Sequence, residues 1–433
     1  MTNATRDIET VRRTTNKAQA DAADPQASVW VNANAGTGKT HVLTERVLRI
    51  LLAGTPPERI LCLTYTKAAA AEMSKRIFEK LGAWVSATDG NLRPILGGMM
   101  GADPTDDQVN FARTLFTAAI ETPGGLKIQT IHAFAERLLQ RFPLEAGVPP
   151  GFKILDDDKG RELKARAIEA TLLEATSNRN STLGKALNLT IRYASDSNFD
   201  ELLSKAIAER AWLDAASRFN LGVKSADFAG AESYLRKTFS VRNIVTAAQI
   251  ETERARLLSD TDLRTLAGHL SSGGKTDATH SAKLTEALSQ REVIQRASTL
   301  ADYFLTGNGE GKRASLMTKA LAEARGDLQA TAQKAQDRCF DLTVELKTLA
   351  LVEATAALYR LAGSVLQRYT NAKASSGALD FDDLIQRTTS LLTTSNQAQW
   401  VLFKLDGGLD HILVDEAQDT SPAQWAIIEA LGR

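Results

Sequence analysis

The sequence predicts an α/β fold with a parallel sheet, interrupted by a large all-helical insertion. Short apolar runs alternate with helical spacing over residues 1–155, and the same alternation returns over 375–433. Between them, residues 156–374 have helical composition, with no clear strand and no repeat of fixed period. Alternating strands and helices form parallel sheets with right-handed crossovers. We therefore expect one α/β domain in two parts, 1–155 and 375–433, around a helical subdomain.

Each predicted strand of the α/β part is followed by a predicted helix. Glycine or proline ends most of these helices, as at Gly54, Gly82 and Pro143. The predicted strands and the helices after them are Val29–Val31 with 41–52, 58–66 with 67–82, 126–131 with 132–142, and 409–416 with 421–433.

Composition excludes several classes of protein. The 433 residues are 43% hydrophobic and 24% charged, and the formal net charge is zero, so any nucleic-acid binding must come from a local patch. Two cysteines, Cys62 and Cys339, exclude a disulfide framework and a multi-cysteine metal site within the sequence. The N-terminal residues are polar, and no run of about 18 apolar residues occurs. We expect a cytoplasmic protein without a membrane span.

The segment ANAGTGKT lies between the first predicted strand and its helix, which is the context of a phosphate-binding loop. Small residues let backbone N–H groups surround a phosphate, and the helix N-terminus adds a positive dipole. The pattern predicts ATP and Mg²⁺ as cofactors, with Lys39 on the β- and γ-phosphates and Thr40 on the metal ion. The alternative is a connection that needs its glycines only for backbone conformation. The predicted loop comprises Ala33, Asn34, Ala35, Gly36, Thr37, Gly38, Lys39 and Thr40.

A second motif, LVDEAQD, places two carboxylates at the end of the last predicted strand. Parallel sheets bind ligands at the carboxyl ends of their strands. Asp415 is therefore predicted to hold Mg²⁺, and Glu416 to polarise the attacking water. The alternative is a solvated acidic loop. The interpretation requires Lys39 to converge with Asp415 and Glu416 on one triphosphate pocket at neighbouring strand ends.

Together with these two motifs, the strings LTYTKAAAAEM, TIHAFAERLL and DFDDLI resemble the UvrD/Rep-type superfamily 1 DNA helicases. The sequence around these motifs is most similar to that of the AddA subfamily of bacterial helicase–nuclease proteins. The resemblance is tight over about 1–155 and 375–433 and loose between them. It implies a RecA-like P-loop NTPase domain. It also accounts for Ala33, where the general loop pattern has glycine.

The resemblance implies roles for further residues. Gln19 would hydrogen-bond the adenine, and Gln418 would sense the γ-phosphate. Two segments would contact single-stranded DNA, with Tyr65 offering a ring face to a base. Three of these residues also have alternatives without a binding role: Gln19 as a surface glutamine, Tyr65 as a buried core aromatic, and His132 as a hydrogen-bonded neighbour of a helix cap. The implied DNA-contacting residues are Thr64, Tyr65, Thr66, Lys67, Thr130, His132 and Phe134.

Two other motifs imitate ligand sites. The carboxylates of LDFDDLI (Leu379–Ile385) resemble a metal cluster, but aspartates are favoured in the first turn of a helix, and we interpret them as a helix start. GNGEGK (Gly307–Lys312) imitates a phosphate loop but follows DYFLT in a helical region, and we interpret it as a turn.

The function that the resemblance implies is an ATP-dependent DNA helicase or translocase motor that moves 3′ to 5′ in double-strand break repair. Its partners would be single-stranded DNA, duplex ends and an AddB-type protein. No motif of the second motor domain or of the nuclease domain is found in the 433 residues. We therefore expect the ATP-binding half of a longer protein, weakly active alone and with an open sheet edge that favours association. The alternatives are a non-catalytic DNA- or partner-binding fragment with a residual nucleotide site, and a P-loop ATPase or kinase of another kind.

Overall fold

The computed structural model describes residues 14–32, 34, 38–194, 196–217, 229–406 and 408–432. The chain divides into two compact units. The first consists of Met1–Gly160 with Lys373–Arg433, and the second is Arg161–Ala372. The sequence placed the domain boundaries after residues 155 and 374, and that domain assignment stays a prediction.

The first unit contains an α/β arrangement whose elements come from both of its chain segments. In chain order its elements are α1 (residues 14–22), α2 (Lys39–Leu52), a 3₁₀ turn (Pro57–Arg59), β1 (Ile60–Thr64), α3 (Lys67–Ser86), α4 (Asp89–Met100), α5 (Asp106–Glu121), β2 (Lys127–Thr130), α6 (Ile131–Arg141), β3 (Lys153–Ile154), the start of α7 (Asp157–Ser177), the end of α17 (Gly326–Ser375), β6 (Ala378–Leu379), α18 (Phe381–Thr393), α19 (Ala398–Asp406), β7 (His411–Val414), a 3₁₀ turn (Ala417–Asp419) and α20 (Pro422–Leu431).

A parallel three-stranded sheet with the order β2-β1-β7 forms the centre of this unit. Leu61 of β1 is in register with Lys127 of β2 on one side and with Ile412 of β7 on the other. The strands are distant in sequence but adjacent in the sheet, as helical crossovers require. The predicted parallel sheet is thus confirmed for the strands after residue 58.

Side chains of β1 alternate between two hydrophobic cores. Leu61 and Leu63 pack with α6, α18 and α20 on one face of the sheet. Ile60 and Cys62 pack with α2, α3 and α5 on the other face. Every residue of β1 is buried, as expected for a strand that is covered by helices on both faces. This burial fixes the register of the sheet and so the positions of its carboxyl ends.

The predicted first strand, Val29–Val31, does not form in the structure. These residues have no strand assignment, and Trp30 has 71% of its surface exposed. The Trp30 ring contacts Trp425 of α20 edge-on, with centroids 6.1 Å apart. A three-residue apolar run forms a strand only when a neighbour pairs with it, and β7 pairs with β1 alone among the described strands. The prediction of a strand before the loop was therefore wrong for this structure.

The second unit is built mainly of helices. Besides the rest of α7 and α17, its elements are α8 (Thr182–Tyr193), α9 (Asp196–Ala208), α10 (Arg210–Ser217), α11 (Ala229–Thr238), α12 (Ala247–Ala255), α13 (Asp260–Ser271), α14 (Lys275–Ser289), α15 (Val293–Phe304), β4 (Leu305–Thr306), a 3₁₀ turn (Gly307–Gly309), β5 (Gly311–Lys312) and α16 (Lys319–Ala324).

The expectation of an all-helical insertion is corrected by a short antiparallel pair. Leu305 of β4 is in register with Lys312 of β5, and GNGEGK makes the reversal between them. Gly307 and Gly309 both have positive φ angles, which allow so tight a reversal. The interpretation of GNGEGK as a turn is confirmed.

The 50-residue helix α17 is long and apolar enough to cross a membrane by length and composition alone. Half of its most apolar window is buried inside the protein. Leu342, Leu349 and Val352 of this helix lie in a hydrophobic core with residues of α11 and α12. Because buried core helices pass the same test, α17 is weak evidence for a membrane span.

Candidate nucleotide and DNA site

The described end of the predicted phosphate loop has the geometry of a helix N-terminus. Gly38 precedes α2 with a φ of 90°, a left-handed conformation that favours glycine. Lys39 and Thr40 are the first two residues of α2 and are half-buried. Their backbone N–H groups therefore lie in the first turn, where the helix dipole favours an anion. Predicted loop residues Ala33, Ala35, Gly36 and Thr37 lie outside the described residues, and Asn34 is exposed.

Gln19 lies beside this loop. A Cβ atom added at Gly38 would stand 3.2 Å from Nε2 of Gln19, so the amide occupies the space over the glycine. Gln19 belongs to α1 and is half-buried. The structure thus brings the predicted adenine-binding residue to the predicted phosphate-binding loop. The contact of Gln19 with adenine stays a prediction.

Two arginines of α2 hold α1 in place. Arg49 donates to the carbonyl of Ala20 at 3.1 Å, and Arg46 donates to the carbonyl of Ala22 at 3.0 Å. Burial lowers the pKa of Arg46, and Asp24 opposes that shift. Cations are favourable near the C-terminal carbonyls of a helix. The sequence analysis missed both arginines, although a basic pair on the helix after the loop could have pointed to them.

The carboxylate of Asp415 lies at the end of β7, next to β1. Its backbone N–H donates to the carbonyl of Leu63 at 2.8 Å, which continues the ladder by one residue. The residue is 8% exposed. Burial raises the pKa of Asp415 and the Glu416 charge raises it further, whereas the Lys39 ammonium lowers it. Lys39 and Asp415 are therefore within electrostatic reach of each other, as the interpretation of one pocket requires.

Glu416 has an unusual backbone conformation. Its φ is 52° and its ψ is 44°, a left-handed conformation that is uncommon for residues other than glycine. The side-chain amide of Gln418 donates to the Glu416 carboxylate. Strained backbone at such a position is typical of functional sites. The contact of Gln418 with a γ-phosphate stays a prediction.

The oxygen atoms at this edge suit the predicted metal ion. Mg²⁺ prefers one or two carboxylates together with phosphate oxygens and water. Asp415 offers a buried carboxylate on which the charge of Lys39 acts, and Thr40 offers a hydroxyl in the first turn of α2. The nearby Cys62 thiol is buried, which raises its pKa to about 12, and so it offers no thiolate ligand. The donor set therefore fits Mg²⁺.

The carboxyl ends of β1 and β2 bring the two predicted DNA segments together. Thr64 and Thr130 are in register across the sheet, and both are buried. Thr64 donates its hydroxyl to the carbonyl of Thr66 at 3.0 Å. Thr66 and Thr130 act as N-caps of α3 and α6. These threonines shape the edge, so direct DNA contact through their side chains stays a prediction.

Exposed side chains of this edge are better placed to contact a ligand. Tyr65 has 51% of its surface exposed, which excludes the alternative of a buried core aromatic. Lys67 is exposed at the first turn of α3. Phe134 is 7% exposed and packs in the core with α18 and α20. Its side chain has this packing role in the structure, and its contact with DNA stays a prediction.

His132 contacts a residue that the sequence analysis did not single out. Its ring lies edge-on against Phe381, with centroids 5.3 Å apart and an interplanar angle of 73°. Phe381 is 44% exposed. Burial lowers the pKa of His132, and the charge of Asp382 opposes that shift. Phe381 stands inside the quoted LDFDDLI motif, but attention to its carboxylates hid the aromatic ring between them.

The LDFDDLI carboxylates start a helix, as predicted. Asp380 is the N-cap of α18, and Asp383 completes a capping box with it. No cluster of three or more histidine, cysteine or carboxylate side chains suited to a metal ion occurs in the part of the chain that the structure describes.

The parallel sheet and the helix N-terminus that carries Lys39 and Thr40 are features of P-loop NTPase domains. Comparison with known families matches residues 14–433 to the UvrD/REP helicase N-terminal domain. The chain belongs to this family.

Relatives of similar sequence carry the name of the A subunit of an ATP-dependent helicase/nuclease. One from Clostridium novyi is 26% identical over 94% of this chain and 32% of its own length. One from Lactiplantibacillus plantarum is 24% identical over 96% of this chain and 34% of its own length. One from Latilactobacillus sakei is 26% identical over 93% of this chain and 45% of its own length. The chain thus spans between about a third and a half of the length of each of these relatives.

Proposed function

We propose that this chain is the ATP-binding half of a motor that moves along single-stranded DNA from 3′ to 5′. Two observations support the proposal: the Lys39 ammonium lowers the pKa of Asp415 at the end of β7, and the Gln19 amide lies over Gly38, the residue before Lys39. The first turn of α2 and Lys39 would hold the β- and γ-phosphates, and Gln19 would select adenine. Thr40 and Asp415 would hold Mg²⁺, which supplies charge neutralisation on the phosphates.

Glu416 is the residue that we assign to water activation. It directly follows Asp415, to whose carboxylate its backbone N–H donates at 3.1 Å, and Asp415 would stay with the metal ion in the proposed scheme. The hydrogen bond from Gln418 holds the Glu416 carboxylate in one orientation. A general base must reach its water in a fixed geometry. Gln418 would thereby link the γ-phosphate to the position of the base.

The DNA part of the proposal rests on Tyr65, Phe381 and His132. Tyr65 and Phe381 expose aromatic faces, on which bases of any sequence can stack. Tyr65 follows β1 at the carboxyl edge of the sheet that carries Asp415. Phe381 follows β6 of the separate β3-β6 pair, and its ring contacts His132, which lies two residues after the end of β2. We infer that nucleotide and DNA bind neighbouring parts of this edge, so that ATP turnover can move the strand.

The relatives' names and the helicase family suggest the biological setting. We propose a cytoplasmic role in double-strand break repair by recombination, as the AddA-type component of a helicase–nuclease complex with an AddB-type partner that acts at duplex ends. The runner-up is a DNA- or partner-binding fragment with a residual nucleotide site.

Equilibrium binding to the full 433-residue chain tests the proposal. A fluorescent ATP analogue with Mg²⁺ and a fluorescent oligothymidylate are titrated separately. Lys39→Ala should abolish nucleotide binding and leave oligothymidylate binding intact. Lys75→Ala, an exposed lysine of α3, is the matched control and should change neither. Binding of DNA without any binding of Mg-ATP would favour the runner-up, and absence of both would overturn the proposal.

A further inference from the structure

Lys373 is a lysine in an uncommon environment. It lies near the C-terminus of α17, within the first unit, and is 2% exposed. Its ammonium donates to Oδ2 of Asp380 at 2.8 Å and also to Oδ2 of Asp383. Lysine is almost never fully buried unless it is paired. The role of this buried lysine therefore depends on the two carboxylates that pair with it.

Both partners belong to the N-terminus of α18. Asp380 caps the helix by accepting from the N–H of Asp383 at 2.9 Å. Asp383 accepts in return from the N–H of Asp380 at 3.1 Å. The two carboxylates are only 14% and 20% exposed, and they would repel each other without a cation between them. Lys373 thus connects the end of α17 to both halves of this capping box.

Phe381, the first residue of α18, lies between Asp380 and Asp383 in the sequence and is one of the aromatic residues that we propose for base stacking. Its ring contacts His132 on α6. On the other side, Gly377 turns the chain with a φ of 60°, and β6 pairs with β3 before Asp380. The backbone before Phe381 is therefore held by the strand pair, and the backbone after it by the capping box that Lys373 bridges.

We propose that Lys373 is a positioning residue for DNA binding. It acts through the capping box of α18, which orients the ring of Phe381 against His132 for base stacking. This inference rests on the proposed function. A buried ion pair is weak evidence for stability, because desolvation offsets much of its attraction, and specification of one geometry is the better-attested use of such groups.

The test measures binding of an oligothymidylate that carries 2-aminopurine to the full chain. Lys373→Met removes the charge and keeps the apolar stem. We expect about tenfold weaker binding and a smaller change in 2-aminopurine fluorescence, similar to Phe381→Ala, because one stacked base is lost. Lys334→Met, an exposed lysine on the same helix, is the matched control and should match the unsubstituted chain.

A double-mutant cycle separates positioning from general destabilisation. If Lys373 acts through Phe381, Lys373→Met should add little to the loss already caused by Phe381→Ala. Lys373→Met/Asp383→Asn gives the cluster the same net charge as the original three side chains, but without the bridge. We expect it to recover thermal stability without recovering DNA binding. This variant also carries the test should Lys373→Met alone fail to fold.

Three results would overturn the inference. The first is binding of Lys373→Met that equals that of the unsubstituted chain. The second is additive losses in the cycle with Phe381→Ala, and the third is DNA binding that returns together with stability in the double variant. Failure of the unsubstituted chain to bind the oligonucleotide would instead overturn the proposed function, and this inference with it. Nucleotide binding, measured in parallel, should stay unchanged in every one of these variants.

Discussion

The amide of Gln19 lies directly over Gly38. A single added Cβ atom at residue 38 would approach Nε2 of Gln19 to 3.2 Å, closer than most such contacts in proteins. Nineteen positions of sequence separate the two residues, yet α1 folds back because Arg46 and Arg49 of α2 hold its carbonyl groups. In the proposed function, this contact would join recognition of the base to recognition of the phosphates.

Gly38→Ala should weaken ATP binding more than its effect on folding explains. Alanine in a left-handed conformation costs about 1–2 kcal/mol, and the new methyl group would also displace Gln19. Gly54 offers a matched control at the other end of α2, since its φ is 94° and no atom lies within 4 Å of an added Cβ. Both variants should lose similar thermal stability, but only Gly38→Ala should lose nucleotide affinity. Equal affinity of the two variants for ATP would contradict the proposed contact.

Gln19→Ala should reduce discrimination between ATP and GTP. The glutamine amide can donate and accept, which suits the edge of adenine, and one lost hydrogen bond lowers affinity by about two- to tenfold. We expect weaker ATP binding in calorimetric titrations and no change for GTP. Lys17→Ala, on the exposed face of α1, should leave both affinities unchanged. Parallel losses for the two nucleotides would assign Gln19 to the phosphates instead.

Asp415→Asn should stabilise the metal-free protein while it disables metal binding. Burial raises the pKa of Asp415, so the folded state holds its proton more tightly than the unfolded state. Such a group loses stability as the pH rises from its usual value of 3.8 through its raised value, and at pH 7 the buried charge destabilises the fold. Asparagine removes that charge. We expect a higher melting temperature at pH 7 without Mg²⁺, and a gain that shrinks as the pH falls toward 4.

Mg²⁺ should raise the ATP affinity of the original chain but not that of Asp415→Asn. We therefore expect the variant to bind Mg-ATP about tenfold more weakly, or weaker still. Melting curves with and without Mg²⁺ and ATP measure both effects on one sample. A variant that melts lower than the original at pH 7, or that responds to Mg²⁺ as before, would show that Asp415 is a structural acid.

Substitutions at Glu416 separate the effect of backbone strain on stability from the role of the carboxylate in ATP hydrolysis. Glu416→Gly removes the side chain and suits the left-handed backbone, so we expect stability to rise by up to ~1 kcal/mol. Glu416→Gln keeps the strain and should leave stability nearly unchanged. Both should bind ATP, and neither should hydrolyse it in single-turnover assays. Hydrolysis by Glu416→Gln at the original rate would remove this residue from the proposed mechanism.

The sequence predicts the three strands of the central sheet, because each has a local apolar pattern that a helical pattern follows, whereas the roles of the nucleotide-site residues stay predictions. The apolar runs of β1 and β7 and the helix start at Asp380 follow from residue types over a few positions. Long-range contacts are harder to predict. Nothing near Lys373 in the sequence shows that its ammonium is buried between two carboxylates, and an apolar triplet at Val29–Val31 does not reveal whether a neighbouring strand will pair with it.

Tyr65→Ala should weaken DNA binding without loss of stability. The ring is 51% exposed at the carboxyl end of β1, so its removal opens no cavity, and base stacking on an aromatic ring contributes about 1–3 kcal/mol. We expect oligothymidylate binding to fall by about 5- to 150-fold, with an unchanged melting temperature and unchanged ATP affinity. Phe111→Ala on α5 is the matched control, because that residue is 40% exposed but belongs to neither of the two segments predicted to contact DNA. If Tyr65→Ala and Phe111→Ala bind the oligonucleotide with the same affinity, the exposed aromatic ring at residue 65 does not contact DNA. The residues that stack on bases would then lie elsewhere on the first unit.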